Sequence, residues 1–306
     1  MNPRGTALIL AATVAGALAL ALLGSSYALR LGTLLAMYVT LASSWNLIGG
    51  MAGYPSFATA AFFGVGAYAG ALAQAGGVPM PLAWAWAALA AGGVALAVGW
   101  LVLPLRGHYF AIASLALVII LRLAATNWTG LTGGGMGFNL PPSGLDAAEQ
   151  ARLSFAGQAG AAVLALGAAA GVAASRLGFA LRCIRQNETA AGMLGLNARR
   201  AKTAAFAISA AMAGPAGAIY ASSTFYIEPG DVFDIVRAVE PIIMAMLGGA
   251  GTVAGPVLGA TLFLALEQAV WTNFVSVHAA ILGVLVVGLA IFLPEGLLGR
   301  LGARRR

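Results

Sequence analysis

The sequence predicts an all-α integral membrane protein of about ten transmembrane helices, some of them discontinuous or re-entrant, with both termini inside. Three observations predict it. Of 306 residues, 61% are hydrophobic and only 8% are charged, whereas an average soluble domain is about one-quarter charged. Apolar runs of about 20 residues, the length that crosses a bilayer as a helix, recur along the chain. Glycine supplies 42 residues, about twice the usual ~7%, and in lipid small residues let helix backbones approach closely. This composition excludes a water-soluble globular protein, a disordered chain and a nucleic-acid binder.

Taken in order, spanning stretches are read over residues 6–28, 31–50, 54–75, 82–103, 109–125, 157–176, 203–225 and 277–293. The first follows Asn2-Pro3-Arg4. A cleaved leader is the alternative there, but a signal h-region runs about 7–15 residues and this run is longer. Residues 236–271 are apolar yet interrupted by Leu247-Gly248-Gly249-Ala250-Gly251-Thr252. They read as two short spans, a re-entrant hairpin or one broken helix. No soluble domain stands out, so residues 1–306 form a single transmembrane domain. Glycine-rich breaks near 49–53, 132–137 and 248–255 hint at discontinuous helices of the kind transporters use.

Charge fixes the orientation. Residues 176–202 carry Arg176, Arg182, Arg185, Arg199, Arg200 and Lys202 against Glu188 alone, while 127–156 carry Asp146 and Glu149 against Arg152. The positive-inside rule puts the first loop in the cytoplasm and the second outside. Counting outward, Arg4, Arg106, the six of the main loop and Arg300, Arg304, Arg305 and Arg306 fall inside, twelve of the 16 basic residues. All nine acids but Glu188 and Glu295 fall outside. A basic tail inside requires 236–271 to start and finish externally, which two passes or a hairpin satisfy and a single crossing does not.

Within the basic loop, Asn187 suits an N-cap and Glu188 the first turn, where the helix dipole favours an anion. Gly195 suits the left-handed residue that ends a helix. A helix of about seven residues is only about 10 Å long and is not stable alone in water, so it must dock. Ala190, Met193 and Leu194 share one face. The partner is either a protein groove or the lipid headgroups.

The residues at this point carry a resemblance. Gly178-x-x-x-Arg182-x-x-x-Gln186-Asn187-Glu188-x-Ala190-Ala191, then Gly195-Leu196-Asn197 and Lys202 before an apolar span, resembles the cytoplasmic loop of ABC-importer permeases. More narrowly it resembles the branched-chain amino-acid group, LivM-type. Trp45-Asn46-Leu47-Ile48-Gly49-Gly50, Gly53-Tyr54-Pro55-Ser56-Phe57, Leu105-Arg106-Gly107-His108-Tyr109-Phe110, Thr132-Gly133-Gly134-Gly135 and Leu247–Thr252 leading to Gly255-Pro256 agree in order. The resemblance implies a coupling loop over about 177–202, with Arg182, Asn187, Glu188, Ala191, Gly192 and Gly195 as contacts to a separate ATPase. It also implies a second homologous permease, two ATPase subunits carrying ATP and Mg, an external or periplasmic solute-binding protein, and the bacterial cytoplasmic (inner) membrane. One departure leaves the substrate open between branched-chain amino acids, urea or short amides, and another small polar solute. The family often has serine–leucine–glycine–histidine after the first break, whereas Ser56 is followed here by Phe57, Ala58 and Thr59.

This chain itself carries no nucleotide site. A Walker A loop needs Gly-x-x-x-x-Gly-Lys-[Ser/Thr], and the sole lysine, Lys202, follows Ala201, with Leu196 where the first glycine would stand. With one cysteine, Cys183, and two histidines, His108 and His278, neither a disulfide nor a metal centre is expected, and no cofactor. Activated serines need a base beside them, and none is visible, so an enzyme is not expected. An ion-coupled secondary carrier is the rival, and it needs intramembrane carboxylates; Glu240 and Glu267 are the deepest candidates. Broken helices expose backbone groups to a polar solute. The pathway candidates are therefore Ser56, Thr59, Tyr109, Ser114, Thr132, Gly133, Gly134, Gly249 and Thr252, with helix packing as the other role for each. Tyr38, Trp84, Trp86, Trp100 and Trp128 are read as interfacial anchors.

Overall fold

The computed structural model describes residues 25–105 and 107–273, with Thr13, Gly16 and Leu297 besides. The expected spans over 6–28 (save its end and those two positions) and 277–293, Arg106, and the basic tail lie outside the described residues. Helix α1 (Ser26–Trp45) continues into a π-helical turn (Asn46–Met51), followed by α2 (Thr59–Ala75), α3 (Met80–Val102) and α4 (His108–Asn127). One-turn helix α5 (Thr129–Thr132), a 3-10 turn (Gly134–Met136) and strand β1 (Phe138–Asn139) lead to α6 (Ala147–Ala174). Then come α7 (Arg176–Gln186), α8 (Glu188–Met193), α9 (Ala198–Thr224), β2 (Tyr226–Ile227), α10 (Pro229–Val232), α11 (Ile235–Gly248) and α12 (Gly255–Asn273). Among the described residues, α1 with its π turn, α3, α4, α6 and α9 are long and apolar enough to cross a membrane.

Helix α9 is the spine, packed along α2 and α3. Small residues permit this. Helix α3 buries only Ala83, Ala87, Ala91, Ala95 and Gly99, one residue per turn, while Leu82, Trp86, Leu89 and Trp100 face outward. A Cβ on Gly214 would lie 2.5 Å from the Ala87 carbonyl oxygen, and one on Gly217 would lie 2.0 Å from that of Phe63. Lipid offers no hydrophobic drive for helix pairing, so such close packing and interhelical hydrogen bonds carry it. The Ser44 and Ser209 hydroxyls approach to 3.0 Å between α1 and α9, and each donates to the other's carbonyl. Ser222 gathers α2, α3 and α6, since its hydroxyl accepts from Gln74 and Trp84 and its carbonyl from Gln150.

Two expectations change and one open reading narrows. Helix α6 starts at Ala147 instead of residue 157, because Asp146 and Glu149 form a reciprocal capping box. Trp86, Trp100 and Trp128 are exposed as interfacial anchors would be, but Tyr38 is buried and Trp84 is half-buried and bonded to Ser222. Residues 236–271 are a hairpin and not one broken helix. Helices α11 and α12 pack side by side, with Gly259 so close to Met244 that a Cβ would sit 1.7 Å from the latter's carbonyl oxygen.

Candidate functional site

The basic loop folds into two short helices against the bundle. Ser175 caps α7, whose Leu181 and Ile184 are buried, and Arg182 donates to the Ala173 carbonyl at 3.0 Å. Asn187 caps α8 by accepting from the Thr189 and Ala190 amides. Helix α8 has six residues, one fewer than expected, and Gly195 closes the turn after it at φ +79°. Ala191 faces the bundle, whereas Ala190, Met193 and Leu194 are exposed. A Cβ on Gly192 would meet open space.

What anchors this helix was not visible in the loop itself. Lys202, only 2% exposed, bonds Glu188 Oε1 at 2.9 Å, the Tyr54 hydroxyl at 3.1 Å and the Leu103 carbonyl at 3.0 Å. The Tyr54 hydroxyl also donates to Glu188 Oε2, and the ammonium lies 4.4 Å from the Tyr54 ring centroid. A buried ammonium is tolerated only when paired and hydrogen-bonded, and all three of its N–H groups are used. The signal in the sequence was that a chain of arginines keeps one lysine, whose compact ammonium suits three converging acceptors better than a planar guanidinium.

Arg185 makes a second link. Its Nη1 donates to the Gly50 carbonyl in the π turn at 2.5 Å. It also borders Gly251, where a Cβ would meet it at 2.7 Å. Asn46 ties the π turn to the hairpin tip, accepting from the Gly251 amide at 2.7 Å and donating to the Thr252 carbonyl at 2.8 Å. Two glycine-rich breaks thus meet beneath α7.

The nine pathway candidates do not converge. Ser56, Thr59 and Ser114 are buried, with Ser114 accepting from the Phe57 amide and Ser56 from that of Ala58. Tyr109 is exposed on α4. Gly249 and Thr252 shape the hairpin tip, where Thr252 donates to the Gly249 carbonyl. Thr132, Gly133 and Gly134 lie beyond the far end of α4, with Thr132 donating to Ala125 and Trp128 carbonyls.

A roomy opening lies elsewhere. A cavity of about 1040 Å³ is lined by α1, α6, α9, α11 and α12, with the 142–145 and 231–234 segments at its rim. None of the nine candidates lines it; Tyr38, Gln158, Arg237, Glu240 and Glu267 do. Arg237 is pinned by Asp231 at 2.6 Å and by the Tyr220 hydroxyl. Among the described residues no three His, Cys, Asp or Glu side chains group as metal ligands.

Five helices long and apolar enough to cross a membrane, among the described residues, define a helical integral membrane protein. The family described as branched-chain amino acid transport system / permease component matches residues 27–293, and the chain belongs to it. It is 30% identical over 299 residues to the high-affinity branched-chain amino acid transport system permease protein LivM of Escherichia coli (strain K12), covering 88% of this chain and 69% of that protein. Against LivM of Salmonella typhimurium identity is 28% over the same shares. The corresponding LivH of Escherichia coli (strain K12) is 29% identical over 128 residues, 41% of each chain. No solved structure matches.

Proposed function

We propose that this chain is one transmembrane subunit of an ATP-driven importer of branched-chain amino acids in the bacterial inner membrane. It pairs with a homologous permease, two ATPase subunits that hold ATP and Mg, and an external solute-binding protein. The relatives named LivM and LivH support the pairing and the substrate. The observation that carries the mechanism is the two-sided character of α8: Ala190, Met193 and Leu194 point outward, while Glu188 is fastened to Lys202. A motor gripping the outer face moves α8 as a rigid piece. Lys202 passes the motion to α9, and Arg185 passes it to the π turn and the hairpin tip.

The reading places ten spans with both termini inside. Helix α11, about 21 Å long at 1.5 Å per residue, falls short of a ~30 Å hydrocarbon core, so the glycine turn completes the hairpin's descent. The chain then enters and leaves this hairpin externally, which keeps the basic tail inside.

Gly192→Leu tests the docking face. The added side chain enters open space and clashes with nothing in this chain, so it should leave stability within about 0.5 kcal/mol. It should abolish ATPase-driven uptake in the assembled complex. Normal uptake would remove the coupling assignment. Adding Glu188→Ala would blur the test, because it also strips Lys202 of its ion pair.

A further inference from the structure

The large cavity gathers two neighbouring side chains whose buried polar atoms have no hydrogen-bond partner. Gln158, only 1% exposed, leaves both amide atoms without a hydrogen-bond partner, as does the hydroxyl of Ser154 one turn earlier, 4% exposed. Both belong to the cavity wall. Gln74, away from the cavity, is bonded, and so is Gln150 nearer its mouth, which donates to the Ser222 carbonyl. A buried amide with neither donor nor acceptor satisfied is costly unless something polar enters to meet it.

From the hairpin, Glu240 and Glu267 contribute carboxylates to the same wall. Glu267 accepts from the Tyr38 hydroxyl at 3.2 Å, and Arg237, the nearby cation, is already committed to Asp231. Arg30 at the mouth of α1 is exposed. Met37 and Leu34 supply apolar surface. Along α6, Gln158 lies six residues beyond Arg152, the last charged residue before it, about 9 Å along the axis at 1.5 Å per residue. The cavity therefore reaches past the charged first turns of α6 into its apolar stretch, from the end of the bundle that bears the acidic loops.

We propose that this cavity holds the solute inside the membrane as a zwitterion, with the ammonium on Glu240 and Glu267 and the carboxylate on the Gln158 amide and Ser154 hydroxyl. This rests on the amino-acid reading above and adds where the molecule sits. The two ends of an α-amino acid need opposite partners within one small volume, and the apolar wall takes an aliphatic side chain. A neutral amide such as urea can donate to a carboxylate but brings no positive charge to offset two of them.

The test uses the complete complex with its binding protein in proteoliposomes, reading radiolabelled leucine imported per ATP hydrolysed. Glu240→Gln and Gln158→Leu should each lower that ratio at least tenfold, with Glu240→Asp within threefold of wild type. A Ser154→Cys, Cys183→Ser protein should react with a membrane-impermeant thiosulfonate from the binding-protein side, and leucine-loaded binding protein should slow the reaction; this measurement decides if the first variants fail to assemble. Wild-type ratios in both variants, or no labelling of the cysteine, would overturn the site while leaving the importer reading intact. A wild-type complex that hydrolyses ATP yet imports no amino acid would instead sink the importer reading, and the site with it. Uptake driven by a proton gradient without ATP would make Glu240 a proton carrier and overturn the proposal as well.

Discussion

Lys202→Met removes the ammonium that fastens α8 to the membrane bundle while keeping the side-chain length. Three acceptors lose a donor at once: Glu188 Oε1, the Tyr54 hydroxyl and the Leu103 carbonyl. Breaking a buried ion pair by removing one partner costs about 3–5 kcal/mol. Glu188 retains 16% side-chain exposure and can recover some water, which puts the cost near ~3 kcal/mol, the lower end of that range. At about 2–4 °C per kcal/mol for a chain of this order, the purified subunit should melt at least ~6 °C lower. Pairing it with Glu188→Gln gives a double-mutant cycle. Once the amine is gone the carboxylate has lost its counter-charge, so neutralising it should cost little or help, with a coupling of about 1–3 kcal/mol. A melting loss under ~2 °C, or two effects that simply add within about 0.5 kcal/mol, would refute the claim that this pair holds α8 to the bundle.

Other outcomes follow from the same contacts. Arg185→Gln, which loses its bond to Gly50, should lower uptake per ATP hydrolysed several-fold while ATPase binding is retained, measured in the reconstituted complex. Gly259→Ala pushes a methyl into the Met244 carbonyl; overpacking of this kind costs about 1–3 kcal/mol, seen as a lower melting temperature, whereas Gly192→Ala, in open space within a helix, should leave it unchanged or slightly raised. Cys183, a free and half-buried thiol on α7, should react with a membrane-impermeant reagent only after cells are permeabilised. Ready labelling in intact cells would invert the topology and leave α8 on the wrong side for an ATPase.

Much of the local structure was legible because it depends on neighbours in sequence. Asn187 caps α8 through amides two and three residues on, and Gly195 takes the positive φ that only glycine adopts cheaply. Both are decided within one turn of helix. Residues 236–271 were ambiguous for the opposite reason. Their pattern fits a helix on either side of the glycines, and only the contact of Gly259 with Met244 makes a hairpin of them. Helix α6 began earlier than hydropathy suggested, because a capping box of polar residues, which a search for apolar runs discards, starts it.

By itself the sequence determined that this is a helical membrane permease, which loop is basic, and which family it belongs to. Hydropathy, charge and short motifs are read one residue at a time along the chain. The tertiary structure alone decided that the single lysine meets Tyr54, 148 residues away, that Asn46 joins two glycine breaks 206 residues apart, and that five helices leave a polar cavity where none of the expected pathway residues lies. Those pairings depend on which helix faces which. In lipid that is settled by the fit of small residues and the satisfaction of buried polar groups across the bundle, and neither has a periodicity to read in advance.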